Sequence, residues 1–371
     1  MPSIDLFCRV VDNFGDIGVC WRLARQLAAM PDVGQVRLWV DDLHSFRRIQ
    51  HQVREQLDSQ DILGVRIEHW HAARLHYPEP YPLLIEAFAC ELPAAVTKQL
   101  RADRHVWINL DYLSAENWVL GCHGLPSPQP GGAAKYFFFP GFLPGTGGLL
   151  REPGLLEQRA AFQRDDAAYD ALLARLGVAL DKRQALLAGT LRQLFLFCYP
   201  NAPVQALAQV LGQQDRDTLL LIPDSVAAHL PTLTGPRLHI QEIPHVDQAD
   251  FDALLWRSDV NIVRGEDSLV RAIWAGVPMI WQPYIQDDNA HLDKLDAWLD
   301  TTPLSAPVRA LHHAWSSADP AAATQALQHC LAKDAMAQWR NDARAYCAQQ
   351  AQRADLAASL LSFYTQVVRK R

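Results

Sequence analysis

The sequence lacks the features that mark several large classes of protein. No run approaches the roughly 18 uninterrupted apolar residues of a membrane span, and the opening MPSIDLFCRVVDN has no basic segment ahead of an apolar core. The net charge of −7 argues against a nucleic-acid partner, because such proteins usually present a basic face. We therefore expect a cytoplasmic protein that has no secretory signal and binds neither membrane nor nucleic acid.

Sites built on cysteine or histidine are not indicated either. The chain has seven cysteines, an odd number, and none of them forms a CxxC pair. Dispersed cysteines predict buried free thiols in a reducing compartment, not a disulfide framework or a zinc site. His69, His71 and His76 are close in sequence, but their spacing with neighbouring residues matches no recognisable ligand set, so we expect no metal.

What the chain does contain is an alternation of predicted strands and helices. Residues 4–11 are typical of a buried parallel strand, the DNFGD segment at 12–16 interrupts it, and residues 19–28 show helical spacing. Strand, short turn and helix form the opening unit of a doubly wound α/β domain. Further strands are predicted over residues 36–40, 64–68, 106–110, 136–139, 191–199, 218–223, 238–243, 260–263 and 279–281.

Length and element order predict two domains. A chain of 371 residues is too long for one ordinary core, and an Ala- and Leu-rich helical segment over residues 152–185 separates two α/β series. We expect one Rossmann-like domain over residues 1–180 and a second over residues 185–356. A terminal helix over about 357–371 is expected to pack back on the first domain. Periodicity alone does not distinguish GT-B glycosyltransferases from other proteins with paired Rossmann-like domains.

The segment RGEDSLVRA, residues 264–272, joins a predicted strand to a predicted helix. A turn that enters a helix presents unpaired backbone N–H groups and the positive end of the helix dipole, which suits a diphosphate. Gly265 lets the backbone come close to a ligand, and Arg264 or Arg271 can add positive charge. The segment therefore predicts an anion site. The alternative is an ordinary capped helix with an ion pair across one turn.

The acidic residues of this segment have separate predicted roles. Asp267 or Ser268 can cap the helix N-terminus. Glu266 is better suited to accept hydrogen bonds from sugar or ribose hydroxyls, because a carboxylate beside a phosphate is unfavourable.

The DNFGD segment places Asp12 and Asp16 at the carboxyl end of the first predicted strand. Open α/β sheets bind ligands at that edge, although Asp16 as a helix cap and Asp12 as a turn residue are the simpler alternatives. The segment is no dinucleotide fingerprint, because GxGxxG is missing. Walker A is missing as well, so NAD-dependent and ATP-hydrolysing activities lose support.

The segment HVDQADFDALLW, residues 245–256, lies between a predicted strand and an amphipathic helix. Phe251 at the edge of a cleft can stack on a pyrimidine and Gln248 can pair with its polar edge, although Phe251 as a core residue is the simpler interpretation. The acidic triplets at residues 215–217 and 250–252 resemble the DxD motif of metal-dependent sugar transfer, but such triplets are common by chance.

Taken together, several segments resemble one family across nearly the whole chain: the elongation factor P protein-arginine rhamnosyltransferases. The DNFGD and RGEDS blocks are highly specific to it. The matching segments are VVDNFGDIGVCWRLARQL, NLDYLSAENWV at 109–119, KYFFFPGF at 135–142, FCYPNAP at 197–203, and DVNIVRGEDSLVRAIWAGVPMIWQPY at 259–284.

The resemblance implies a GT-B fold, in which two Rossmann-like domains face each other across a cleft. The first domain would be the acceptor side, and the second would bind the nucleotide sugar dTDP-β-L-rhamnose. It implies transfer of L-rhamnose to an arginine of elongation factor P, with inversion at the anomeric carbon and without a metal or cofactor. A GT-B enzyme with a small-molecule or lipid acceptor and a non-catalytic nucleotide-binding protein are the alternatives.

The resemblance also assigns roles to single residues. Asp16 matches the proposed catalytic base and Asp12 the other essential carboxylate of its turn, and we group Glu266 with them. Asp111 and Glu116 are possible acceptor contacts, although Asp111 replaces a Glu that is expected in many relatives. The implied donor-binding residues are Asn13, Phe14, Gly15, Phe197, Tyr199, Gln248, Phe251, Arg264, Gly265, Asp267 and Ser268.

Overall fold

The computed structural model describes residues 1–11, 15–71, 76–286 and 288–371. It divides into two compact units, Met1–Pro153 with Arg353–Arg371, and Gly154–Gln352. Within the described residues, no helix combines the length and the apolar character needed to cross a bilayer. All seven cysteines are free, as the sequence predicted.

The first unit is built on one eight-stranded sheet with the order β3-β4-β2-β1-β5-β6-β8-β7. Its inner pairs are parallel, and the edge pairs β3 with β4 and β7 with β8 are antiparallel. The strands are β1 Ile4–Cys8, β2 Val36–Val40, β3 Ser59–Ile62, β4 Val65–His69, β5 Leu83–Ala87, β6 Val106–Leu110, β7 Pro126–Pro128 and β8 Ala134–Phe138. The helices before the second unit are α1 Gly15–Ala28, α2 Leu43–Ile49, α3 Ala94–Thr97 and α4 Val119–Cys122.

The second unit is built on a five-stranded parallel sheet with the order β11-β10-β9-β12-β13. Its strands are β9 Leu191–Leu196, β10 Asp217–Pro223, β11 Leu238–Ile243, β12 Val260–Arg264 and β13 Met279–Gln282. Its helices are α5 Leu155–Phe162, α6 Asp166–Arg175, α7 Leu180–Leu187, α8 Val204–Gly212, α9 Asp224–Ala227, α10 Gln248–Arg257, α11 Glu266–Ala275, α12 Ala290–Asp300, α13 Ala306–Ser316, α14 Pro320–Cys330 and α15 Lys333–Ala351.

The last helix, α16 Leu356–Arg369, returns to the first unit. Leu356, Ala357, Leu360 and Val367 are buried in the apolar core that α1 and the first sheet also form. The side-chain amide of Gln26 on α1 donates to the Asp355 carboxylate over 2.7 Å, and this hydrogen bond fixes the chain just before α16.

The division between the units falls earlier than the boundary expected near residue 180, because α5 and α6 pack with the second unit. The Tyr169 hydroxyl donates to the buried side-chain oxygen of Gln193 on β9 over 2.6 Å. The Gln163 amide donates to the carbonyl of Trp256 over 2.8 Å, and Arg159 donates to the carbonyl of Trp274 over 2.6 Å. These hydrogen bonds attach the helices that follow Pro153 to β9, α10 and α11 of the second unit.

Most predicted strands are present, with differences at their ends. β2, β6 and β11 have the predicted bounds, whereas β1 ends at Cys8 and β9 at Leu196, each three residues early. The chain leaves the sheet there and turns toward the loops described below. The central strand β5, which pairs with β1 and β6, was not predicted.

Candidate active site

The turn between β1 and α1 carries the first group of predicted residues. Asp16 lies in the first turn of α1 and is only 4% exposed. Its Oδ2 accepts a hydrogen bond from the backbone N–H of Val11 over 2.9 Å, so the carboxylate folds back over the end of the strand. β1 is parallel to both of its neighbours, which places this turn at the carboxyl edge of the sheet, where α/β proteins bind ligands. Asp12, Asn13 and Phe14 lie outside the described residues, and their predicted roles stay predictions.

The Cys8 thiol, which is hydrogen-bonded to Cys20, lies next to this carboxylate. A hydrogen bond to Cys20, burial and the negative charge of Asp16 raise the pKa of the Cys8 thiol well above its ordinary value. Cys8 therefore stays uncharged, because ionisation would place a second negative charge in a buried region beside Asp16. Sequence spacing did not indicate this pairing, since Cys8 and Cys20 belong to different elements.

The turn between β12 and α11 carries the second group. Gly265 is the N-cap of α11, with φ of 70° and ψ of −172°, a backbone conformation that is essentially restricted to glycine. Its N–H donates to the Gln282 carbonyl over 3.2 Å, and its carbonyl accepts from the Trp281 indole over 2.8 Å. The turn is therefore fixed to β13 while the helix N-terminus faces the carboxyl edge of the sheet.

This geometry corrects the predicted cap of that helix. Asp267 and Ser268 were the expected N-cap residues, but both lie inside α11, which begins at Glu266. The reason is the conformation of Gly265, which lets the helix start directly after the strand. Without a side-chain cap at this end, the turn has the form that binds anions at helix N-termini.

Arg264 is held between two aromatic rings at the end of β12. Its guanidinium carbon lies 4.7 Å from the ring centroid of Phe197 and 4.7 Å from that of Tyr199. Its Nη1 also donates to the Cys198 carbonyl over 3.2 Å. Burial raises the pKa of the Cys198 thiol to about 12, so no thiolate forms beside the guanidinium. The structure thus joins three predicted donor-site residues into one contact group with a fixed positive charge.

Phe251 extends this group from α10. Its ring makes edge contacts with Phe197 at 5.8 Å and with Phe195 at 5.5 Å between centroids. Phe251 is only half-buried, so it belongs to the aromatic core and also borders its surface. Gln248 is the first residue of the same helix, after the N-cap Asp247. The core interpretation and the ligand interpretation of Phe251 are therefore compatible.

The structure corrects the prediction that Arg271 can add positive charge to the anion site. It is only 2% exposed and forms a paired hydrogen bond with Asp252, Nε to Oδ1 at 2.9 Å and Nη2 to Oδ2 at 2.6 Å. Its charge is committed to this buried ion pair between α10 and α11. Of the two arginines considered for the diphosphate, only Arg264 lies at the turn.

Three carboxylates of the acidic triplets form ion pairs with basic side chains. Asp250 accepts two hydrogen bonds from Arg175, at 2.7 and 2.9 Å, and Asp252 pairs with Arg271. Asp217 lies 3.3 Å from Arg237 and 3.3 Å from His239. Asp217, Asp250 and Asp252 therefore each have a basic partner. The expectation that the triplets bind no metal stays a prediction.

Two residues that the sequence did not single out organise this turn. Lys294 on α12 forms an ion pair with Glu266, the first residue of α11. Gln282, which is fully buried at the end of β13, accepts from the Tyr199 N–H over 2.9 Å and donates to the Asn201 side chain over 3.0 Å. A polar residue at the carboxyl end of a predicted strand was a signal for Gln282, whereas nothing in the sequence pointed to Lys294.

The possible acceptor contacts Asp111 and Glu116 lie in the loop after β6. Asp111 accepts hydrogen bonds from its neighbour Tyr112 N–H over 2.8 Å and from the Asn109 amide over 3.1 Å. Glu116 accepts from the Ser114 hydroxyl over 3.1 Å. Both carboxylates are half-buried and are oriented by local hydrogen bonds, and their role as acceptor contacts stays a prediction.

The chain is similar to the known proteins of one family. The family model described as "Elongation-Factor P (EF-P) rhamnosyltransferase EarP" matches residues 4–365. The chain is 44% identical to the protein-arginine rhamnosyltransferase of Pseudomonas putida over 97% of this chain and 98% of that one. It is similar to the solved structure "Structural basis for EarP-mediated arginine glycosylation of translation elongation factor EF-P", with 31% identity, a TM-score of 0.66 and 99% coverage of both chains.

More distant solved structures share only the fold. A UDP-glucosyltransferase from Polygonum tinctorium has a TM-score of 0.52 at 10% identity, over 100% of this chain and 99% of that one. The two α/β units and these neighbours confirm the predicted GT-B fold class.

Proposed function

The chain belongs to the elongation factor P rhamnosyltransferase family, and we propose that it transfers L-rhamnose from dTDP-β-L-rhamnose to an arginine of elongation factor P. The family match covers residues 4–365 and so includes both units. The observation that carries the donor half of this proposal is the β12–α11 turn. There a helix N-terminus, a positive charge and aromatic rings occur together.

The donor dTDP would bind at this turn. The N-terminus of α11 and the guanidinium of Arg264 both favour negative charge, which grows on the diphosphate as the sugar leaves. Phe251 offers a ring for stacking on thymine, and Gln248 is a donor and acceptor for the polar edge of the base. Because these groups stabilise the leaving group, the transfer step needs no metal ion in this proposal.

Glu266 has a different place in the donor site. Its carboxylate lies in the first turn of α11 and is paired with Lys294, which offsets its negative charge beside the anion site. A carboxylate neutralised in this way can accept hydrogen bonds from ribose or sugar hydroxyls without strongly repelling the diphosphate. We assign Glu266 to that role.

The acceptor arginine sets a constraint on the mechanism. Its guanidinium has a pKa above about 12 and a carboxylate titrates near 4, so prior deprotonation would cost more than about 10 kcal/mol. Proton loss therefore accompanies or follows formation of the C–N bond, after the attacking nitrogen has lost its delocalisation. Asp16 would take that proton, while Asp12 holds the guanidinium in place.

One direct displacement accounts for the stereochemistry we propose. The arginine nitrogen attacks the anomeric carbon from the face opposite to dTDP, so a β-linked donor gives an α-linked product. The C–N bond forms as the C–O bond to the diphosphate breaks, and no covalent enzyme intermediate is required. Protons and charge balance, because one proton passes to the carboxylate and dTDP departs as the anion.

The decisive experiment is intact-mass analysis of purified elongation factor P after incubation with the enzyme and dTDP-L-rhamnose. We expect one added deoxyhexose that maps to an arginine, and no addition when that arginine is replaced by lysine. NMR of the glycopeptide reads the anomeric configuration, and a parallel reaction with a chelator tests the metal-independent step. In this proposal the reaction takes place in the cytoplasm.

Two other functions predict different results. A glycosyltransferase with a small-molecule or lipid acceptor would leave the mass of elongation factor P unchanged while consuming donor in the presence of that acceptor. A non-catalytic nucleotide-binding protein would bind dTDP without consuming donor. An unchanged acceptor mass under conditions in which dTDP binds would therefore overturn the proposed acceptor.

A further inference from the structure

Three side chains suited to metal binding converge at one end of the β3–β4 pair in the first unit. Asp58 precedes β3, His69 is the last residue of β4, and His71 follows two residues later. One potential ligand atom from each lies within 4.8 Å of the others. The sequence directed attention to the histidines alone, because Asp58 joins them only through strand pairing.

The backbone holds these residues in place. The N–H of His69 donates to the Asp58 carbonyl over 2.8 Å, next to the antiparallel register that pairs Ser59 with Glu68. Because successive side chains of an extended chain alternate, His69 and His71 lie on one face and the buried Trp70 on the other. A three-residue set on paired strands is preorganised, which lowers the cost of binding a ligand.

The distances are close to those of a tetrahedral site. Asp58 Oδ1 lies 3.7 Å from His69 Nδ1 and 3.7 Å from His71 Nε2. Zinc bonds of about 2.0–2.1 Å in tetrahedral geometry separate neighbouring ligand atoms by about 3.3 Å. A contraction of a few tenths of an ångström brings these two distances to that value. The ligand nitrogens of His69 and His71, which lie within 4.8 Å of each other, would approach by side-chain rotation.

The tautomer of His69 provides a second, independent observation. Its Nε2 lies 3.2 Å from the Asp41 carbonyl oxygen, which can only accept, so Nε2 carries the proton. Nδ1 is then the nitrogen that lies 3.7 Å from Asp58 Oδ1. A histidine that donates one N–H to a backbone carbonyl while its other nitrogen faces a carboxylate is the arrangement of metal-bound imidazole.

We propose that Asp58, His69 and His71 bind a divalent transition-metal ion of the Zn²⁺ type, with water in the fourth position. Two imidazoles and one carboxylate are nitrogen and oxygen ligands that suit Zn²⁺, and they do not select for Mg²⁺ or Ca²⁺. The ion would join the segment before the edge strand β3 to the end of β4. This site is separate from the proposed transfer step, and its existence does not depend on the proposed function.

The test is titration of the untagged full-length protein with Co²⁺ and Zn²⁺. We expect one equivalent of Co²⁺ to give the visible absorption of a tetrahedral ion, and Zn²⁺ to displace it. Asp58→Asn, His69→Ala and His71→Ala should each weaken Zn²⁺ binding by at least about tenfold in calorimetry. His44→Ala is the matched control, because His44 also lies within 3.4 Å of a carboxylate, that of Glu55, but without a second histidine.

Circular dichroism and donor consumption of each variant report on folding, since none of these residues belongs to the proposed transfer machinery. Loss of the Co²⁺ spectrum in a folded ligand variant, together with its retention in His44→Ala, supports the site. Two results would overturn it: no stoichiometric Co²⁺ spectrum in the wild-type protein, or equal Zn²⁺ affinity in the three ligand variants.

Discussion

The two proposed sites, one in each unit, follow the same strand–turn–helix arrangement and carry opposite charges. β1 leads into α1 and β12 leads into α11, each at the carboxyl edge of a parallel sheet. The first turn presents the buried carboxylate of Asp16, and the second presents Arg264 and a helix N-terminus after Gly265. In each case the strand–turn–helix unit places side chains at the carboxyl edge of the sheet. The charge of those side chains then determines whether a cation or an anion is favoured there.

The two turns also differ in how they are held. The Asp16 carboxylate accepts a hydrogen bond from the backbone N–H of Val11 at 2.9 Å. It also makes further contacts. Arg264 lies between two rings, and Gly265 is bonded to β13. The comparison predicts that substitutions in the first turn affect the chemical step, whereas substitutions in the second affect donor binding.

The largest effect is expected for Asp16→Asn. The amide can still accept the Val11 N–H, but it cannot take a proton from the acceptor nitrogen. We expect the transfer rate to fall by about 10²- to 10⁴-fold, with dTDP affinity within a few-fold of the wild type. Intact-mass kinetics and calorimetry with dTDP measure the two quantities.

Asp41→Asn is the matched control for that substitution. The Asp41 carboxylate accepts a hydrogen bond over 2.8 Å from the backbone N–H of Val10, the residue before Val11. It therefore makes a contact equivalent to that of Asp16 at the same edge of the sheet. It has no role in the proposed mechanism, and its variant should transfer rhamnose at close to the wild-type rate. Near wild-type turnover by Asp16→Asn would remove the base assignment and with it the contrast between the turns.

Arg264→Lys tests the second turn with its charge retained. Lysine lacks the planar guanidinium that contacts the rings of Phe197 and Tyr199, and its point charge is not held in one place. We expect the KM for the donor to rise by about tenfold or more, with a smaller change in kcat. Arg175→Lys, which alters an exposed pair with Asp250 in the same unit, should leave the KM unchanged. A fall in kcat at unchanged KM would contradict a role in ground-state donor binding.

Gly265→Ala tests the backbone of that turn. An added Cβ would meet only the Tyr199 hydroxyl, at 3.7 Å, so the cost comes from the conformation and not from a clash. We expect the free energy of unfolding to fall by about 1–3 kcal/mol and dTDP affinity to weaken as the turn shifts. Gly189→Ala also has positive φ, of 71°, with open space around its Cβ, and should lose stability without losing dTDP affinity. Chemical denaturation and calorimetry distinguish the two variants.

Elements with a clear local sequence pattern could be predicted. Elements whose burial depends on residues distant in the sequence could not. The β12–α11 unit was predicted from the apolar run, the turn and Gly276, whose φ of 67° confirms it as the glycine that ends the helix. The strand β5 was missed because its short apolar run contains Glu86, which is 1% exposed. That carboxylate accepts from the Trp107 indole over 2.9 Å and lies 3.4 Å from the Lys135 ammonium. Partners from other strands make its burial possible, and no local pattern reveals them.

The pairing of charged side chains at the site also depends on residues that are distant in the sequence. Arg264 and Arg271 are equivalent candidates in the sequence, and only the tertiary pairing of Arg271 with Asp252 separates them. Lys294 enters from a helix far along the chain to meet Glu266. The family resemblance located the turns, but the pairing of each charge depends on packing between elements that sequence spacing does not specify.

The smallest effect is expected for Lys294→Met, which keeps most of the side-chain volume and removes the charge. The negative charge of Glu266 would then no longer be offset by the Lys294 ammonium at the N-terminus of α11, where the diphosphate is proposed to bind. The pair is partly exposed to solvent, with side chains 25% and 22% exposed, so screening limits the effect to a rise of a few-fold in the KM for the donor. Lys294→Arg should restore the wild-type KM, and raised salt should narrow the difference between Lys294→Met and the wild type. If Lys294→Met lowered kcat as much as Asp16→Asn does, the division between a chemical turn and a donor-binding turn would fail.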